Sequence, residues 1–94
     1  MAETRMKRIR IIISGDVQGV FFRHNAKKEA KALGVFGWCR NESDGNVYII
    51  AEGDEKSVDK FAKWAKEGSP LSTVESIEIT AEKPTGLERE FEIR

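Results

Sequence analysis

The sequence predicts an α+β fold of order βαββαβ with a short extra strand at its end, and three observations carry that prediction. Isoleucines alternate at period two near the start, two amphipathic stretches at helical spacing each close on a glycine, and turn residues separate the two strands between those stretches.

Residues 7 to 14 form the first strand, with Ile9, Ile11 and Ile13 pointing inward and the basic residues Arg5, Lys7, Arg8 and Arg10 given to the solvent face rather than to a nucleic-acid arm. Ser14 to Gly19 ends it in a loop. From Phe22 the period changes to helical: Phe22, Ala26, Ala30 and Leu33 share one stripe, Lys27, Lys28 and Lys31 face water, and Gly34 is the C-cap. Val35 to Asn41 and Val47 to Glu52 are antiparallel strands joined by Glu42-Ser43-Asp44-Gly45-Asn46. Asp54 caps a second helix that turns Val58, Phe61, Ala62, Trp64 and Ala65 inward and ends at Gly68, with Pro70 beyond. A fourth strand runs from about Val74 to Thr80. Pro84-Thr85-Gly86 is a turn, and Glu90 to Ile93 is a short strand at a sheet edge whose side the sequence leaves open.

Bulk properties narrow the function. A chain of 94 residues with 39% hydrophobic content, two Trp and five Phe supports one core, so residues 1–94 are expected to be a single domain with residues 1–5 as a loose tail. Sixteen basic and sixteen acidic residues cancel, which leaves no global field to gather nucleic acid or an anionic membrane. Cys39 is the only cysteine, and no apolar run, Ile11 to Ile13 included, is long enough for a signal or a span. The expectation is a cytoplasmic monomer without nucleic-acid or membrane partners.

This order is the ferredoxin-like split βαβ plan, one antiparallel sheet with two helices on one face and a short C-terminal edge strand. A right-handed crossover makes the first two strands parallel with the third between them. The loop after strand one and the end of strand two then share a rim, roughly 10 Å apart. Gly15 to Gly19 and Asn41 are therefore expected to be neighbours, with room between them for a phosphate and a water.

Gly15-Asp16-Val17-Gln18-Gly19-Val20 joins the first strand to the first helix, and two glycines four residues apart let backbone NH groups turn inward as a nest beside the helix start. It is a candidate anion-binding loop, although two such glycines are also what a tight turn needs. The Gly-Lys-Ser/Thr ending of a nucleotide loop is missing, so ATP is not implied. Arg23, in the first turn of the helix, could fork two phosphate oxygens, or be an ordinary exposed helix arginine.

The run GDVQGVFFR, Gly15 to Arg23, resembles the acylphosphatase signature Gly-x-Val-Gln-Gly-Val-x-Phe-Arg, and GWCRNESDGNVYIIAEG, Gly37 to Gly53, is similar to that family's second signature. Phe61 with Trp64, Gly68 to Pro70, and Phe91 to Ile93 extend the resemblance over nearly the whole chain. It implies hydrolysis of the carboxyl-phosphate bond of an acyl phosphate to a carboxylate and inorganic phosphate, with no metal or other cofactor. It also places the phosphate-binding arginine at Arg23 and the water-orienting asparagine at Asn41. Asp16 stands where a basic residue is frequent in the family, Cys39 where Val is usual, and Phe21 where many members have Gly although Phe also occurs. A carboxylate about 8 Å from the phosphate would cost on the order of 0.5 to 2 kcal/mol, unless its side chain points away.

So few residues suffice because a carboxylate is a good leaving group that needs no general acid, and a loose phosphoryl transition state responds mainly to positioning and charge. His24 is read as a surface residue: no second His or Cys is spaced to share a metal with it. Cys39, Trp38, Trp64 and the phenylalanines are read as core or core-edge residues. Three rival readings exist: a non-catalytic phosphate or partner-binding module, an RNA-binding domain, and the front domain of a hydrogenase-maturation carbamoyltransferase. The RNA reading lacks sheet aromatics beyond Tyr48 and the Gly-aromatic block, and the absence of zinc-finger cysteine pairs favours the free-standing enzyme over the front domain.

Overall fold

The computed structural model describes residues 5 to 94. The elements run β1 (Met6–Asp16), α1 (Phe22–Leu33), β2 (Phe36–Asn41), β3 (Val47–Asp54), α2 (Glu55–Glu67), β4 (Thr73–Glu82) and β5 (Phe91–Ile93). They build one five-stranded sheet of order β4-β1-β3-β2-β5. Every pairing is antiparallel except β2 with β5. The expected antiparallel sheet is thus mixed at one edge, and β5 is that edge.

Alternation decides which face of the sheet is covered. Ile9, Ile11 and Ile13 of β1, Val47, Ile49 and Ala51 of β3, and Cys39 of β2 are buried beneath the helices. Phe22, Ala26 and Ala30 of α1 and Val58, Phe61 and Ala65 of α2 meet them. The alanines let α1 approach closely, and the aromatics fill what remains: Phe61 stacks at 5.7 Å on both Phe91 and Trp64, and Phe22 at 5.4 Å on Trp64.

Caps end the helices where the sequence placed them. Gly34 adopts the left-handed region, and the NH of Val35 reaches the carbonyl of Ala30 at 2.8 Å, which closes α1 in a Schellman turn. At α2 the Asp54 carboxylate accepts the NH of Ser57 at 3.4 Å.

The basic stretch of β1 differs from its expected solvated face. Lys7 lies on the helix side, where its ammonium pairs with Asp59 of α2 at 2.7 Å. Arg8 is on the opposite face beneath the 83–90 segment, and its guanidinium meets Glu52, Glu82 and Glu88 at 3.0 to 3.3 Å. Glu52 is only 1% exposed. It accepts the NH groups of Thr85 at 2.9 Å and Gly86 at 2.8 Å, so one carboxylate pins the segment that leads into β5.

Burial alone would raise the Glu52 carboxyl, but these two NH donors and Arg8 outweigh it and hold the group below its ordinary 4.5. A depressed carboxyl stabilises the fold above its unfolded value, and that contribution is lost as pH falls through the lower folded value. Glu52→Gln, which turns an amide donor toward existing donors, is expected to cost about 1 to 3 kcal/mol at pH 7. The wild-type advantage should shrink below about pH 4.5. Denaturant midpoints of the two proteins from pH 3 to 7 check this, and parallel curves would remove Glu52 as the anchor.

Candidate active site

The bend between β1 and α1 begins later than the glycines suggest. Gly15 and Asp16 belong to the ladder, opposite Val74 and Thr73 of β4, after a register shift at Ser14/Gly15. A Cβ on Gly15 would stand 2.2 Å from the Thr73 carbonyl oxygen, so only glycine lets β4 come this close. Asp16 is exposed at the strand end and does not line the cleft described below. The penalty expected from it falls to a screened interaction across solvent.

Beyond Asp16 the chain turns inward. Val17 is buried and Val20 packs partly against the core. The Gln18 amide donates to the carbonyls of Glu42 at 2.8 Å and Asn46 at 2.9 Å, tying the bend to the β2–β3 hairpin beside Asn41. Gly19 is left-handed with φ 73°, and nothing lies within 4 Å of where its Cβ would be. The first helical bond is donated by Asn25 to Phe21 at 3.0 Å. Upstream of it, the NH groups of residues 17 to 24 have no acceptor among the described residues. Free amides at a helix start carry the positive end of its dipole.

A cleft of about 260 Å³ opens where this bend meets the ends of β2 and β5. Its walls are Val17, Gly19, Phe21, Phe22, Arg23, His24, Asn41 and Ile93. Of the loop residues singled out from sequence, the structure brings Val17 and Gly19 to it; Gly15, Asp16, Gln18 and Val20 stand behind as ladder, tether and packing. The volume lies just below the roughly 300 Å³ at which drug-sized pockets begin, which suits a small ligand.

Arg23 and Asn41 therefore face one cavity from different elements. Arg23 takes part in no ion pair among the described residues, so its cation is uncompensated in a chain of zero net charge. Asn41, the last residue of β2, has its backbone fixed opposite Val47. Its Oδ1 is buried and lacks a partner among the described residues. A buried acceptor without a donor invites a bound water or a ligand.

Cys39 lies behind this wall, its Sγ 3.8 Å from the Arg23 carbonyl oxygen. Burial pushes its thiol up to about 12 against the pull of Arg23 and Lys27, which leaves it a small hydrophobe and no nucleophile. No group of three or more His, Cys, Asp or Glu among the described residues is placed to hold a metal ion. Nor is any helix there long and apolar enough to cross a membrane. Phe21, Phe22, His24 and Ile93 complete the cleft without having been singled out for it. Phe21 and Phe22 precede the arginine within the motif and His24 follows it directly, so all three could have been suspected; Ile93 is remote in sequence and carries no such signal.

A ferredoxin-like α+β domain with uncompensated amides, one free guanidinium and a carboxamide around a small cleft defines a protein built to handle an oxyanion. Residues 9–93 match the acylphosphatase family model. An acylphosphatase of Rubrobacter xylanophilus is 46% identical over 94% of this chain and 80% of its own length. The crystal structure of acylphosphatase from Bacillus subtilis superposes with TM-score 0.89 at 38% identity, covering 96% of this chain and 99% of that one. An acylphosphatase structure from Coxiella burnetii gives 0.90 at 31% identity with both chains fully covered. The chain belongs to the acylphosphatase family. Its reaction is the hydrolysis of acyl phosphates.

Proposed function

We propose that the amides of the 17–24 bend and the Arg23 guanidinium hold the phosphate of a small acyl phosphate while the Asn41 amide aims the attacking water at phosphorus. The observation that carries this reading is the single cleft onto which Arg23 and Asn41 both open, with the Asn41 Oδ1 buried and unpartnered. A fork on two phosphate oxygens and NH groups on the third bind the ground state and strengthen as charge redistributes during P–O cleavage. Asn41 cannot take a proton at neutral pH, but a carboxamide can accept one hydrogen bond from water and donate another. The proton of the attacking water passes to a phosphate oxygen, the oxygen of water bonds to phosphorus, and the carboxylate departs with the electron pair of the broken P–O bond. No protein acid is needed, because the leaving carboxylate is a weak base at pH 7.

The same reading takes the chain as one domain and a cytoplasmic monomer that releases inorganic phosphate and engages neither nucleic acid nor membrane. Its balanced charge and lone buried thiol support that assignment. The deciding assay compares acetyl phosphate with a simple phosphomonoester in chelator. Acetyl phosphate is expected to be cleaved at least 10²-fold faster, since an alkoxide leaving group must be protonated as it departs whereas a carboxylate need not be. Equal rates, or activity abolished by the chelator, would remove the proposal.

A further inference from the structure

Arg23, the free amides and Asn41 account for a phosphate and a water, yet much of the remaining cleft wall is apolar. Phe21 is the conspicuous part of that wall. It is the one non-glycine residue with positive φ among the described residues, at φ 59° and ψ 22°. A bulky side chain is rarely found in that region, where glycine fits without strain. Nor does the ring repay the strain by entering the core, for Phe21 is 68% exposed.

The backbone that carries the ring is nevertheless held in place. The Phe21 carbonyl accepts both the backbone NH and the side-chain amide of Asn25, each at 3.0 Å, so the backbone that aims the ring is clamped to the first turn of α1. His24 lies tilted beside it with ring centroids 6.3 Å apart. Ile93 adds a half-buried aliphatic group to the same cleft from β5, a separate element. A phosphate seated on Arg23 leaves its acyl group to run along these surfaces toward solvent.

We propose that Phe21, assisted by Ile93, is the specificity-determining residue for the acyl group, and that this chain favours acyl phosphates with an aromatic or extended apolar acyl moiety over acetyl phosphate. This rests on the reading of Arg23 and Asn41 given above. An acyl group that covers on the order of 50 Å² of apolar surface gains about 5- to 10-fold in kcat/KM.

The experiment measures kcat/KM for benzoyl phosphate and acetyl phosphate in wild type, Phe21→Gly and Phe21→Tyr. The benzoyl-to-acetyl ratio is expected to drop about 5- to 10-fold in Phe21→Gly, chiefly through KM for the benzoyl substrate. Phe21→Tyr, which keeps the ring, should hold the ratio within about twofold. A ratio unchanged in Phe21→Gly overturns the proposal even if both substrates slow together, because a merely structural role slows them alike. A Phe21→Tyr ratio as low as that of Phe21→Gly also overturns it. Wild-type protein that hydrolyses neither substrate would instead refute the underlying site.

Discussion

Arg23→Ala is expected to lower kcat by about 10²- to 10³-fold and to raise KM at least tenfold for any acyl phosphate, with a parallel loss of inhibition by inorganic phosphate. Both parameters should move because the guanidinium meets the phosphate before and during the reaction. It is the only arginine or lysine lining the cleft. The fold gives no second reason for a loss: Arg23 is only half-buried and takes part in no ion pair, so its removal orphans no partner among the described residues. Arg23→Lys separates charge from geometry. It keeps a point charge without the planar fork, and should recover part of the binding and little of the turnover. Steady-state kinetics with phosphate as product inhibitor check this, alongside circular dichroism to confirm folding. A variant in which phosphate still inhibits at the wild-type concentration would move the anion elsewhere.

What the sequence revealed follows the range of the forces involved. Ile9, Ile11 and Ile13, the α1 stripe and the Asp54 and Gly34 caps are local patterns, and each appears in the structure as written. Gly15 and Asp16 were misplaced because a loop glycine and a strand glycine crowded by a neighbour look the same in one dimension. The carbonyl of Thr73, which forces the matter, lies nearly sixty residues away. Arg8 and Glu52 were hidden for a related reason. A charged residue on an alternating strand reads as solvated until something covers it, and the 83–90 segment that does so is irregular.

The site was legible in the same uneven way. Arg23 and Asn41 stand within long motifs on a rim that strand order alone brings together, so their common cleft could be anticipated. The side on which β5 joins could not, because three residues carry too little pattern to choose an edge. Its parallel pairing with β2 is secured by the Gly37 NH on the Glu90 carbonyl at 3.0 Å and the Arg94 NH on Cys39 at 2.7 Å. Ile93 reaches the cleft only through that choice. The chemistry of the phosphate end was therefore readable, and the acyl end was not.

Asn41→Ala is expected to reduce kcat by about 10²-fold or more while KM and the phosphate inhibition constant stay within about threefold. The substitution removes a carboxamide and little else: the backbone is fixed in the ladder opposite Val47, and the neighbouring bend is tied by Gln18 to Glu42 and Asn46. Stability supplies an independent check on its role. A buried acceptor left without a donor costs on the order of 1 to 3 kcal/mol, so an Asn41 Oδ1 that serves only the reacting water is held at the expense of the fold. Asn41→Ala should accordingly melt no earlier than wild type. Asn41→Asp keeps an acceptor and loses the donor, and it sets a negative charge near the phosphate, so there KM should rise as well. An asparagine with a merely structural role would give the reverse pattern, with the melting temperature falling and kcat preserved.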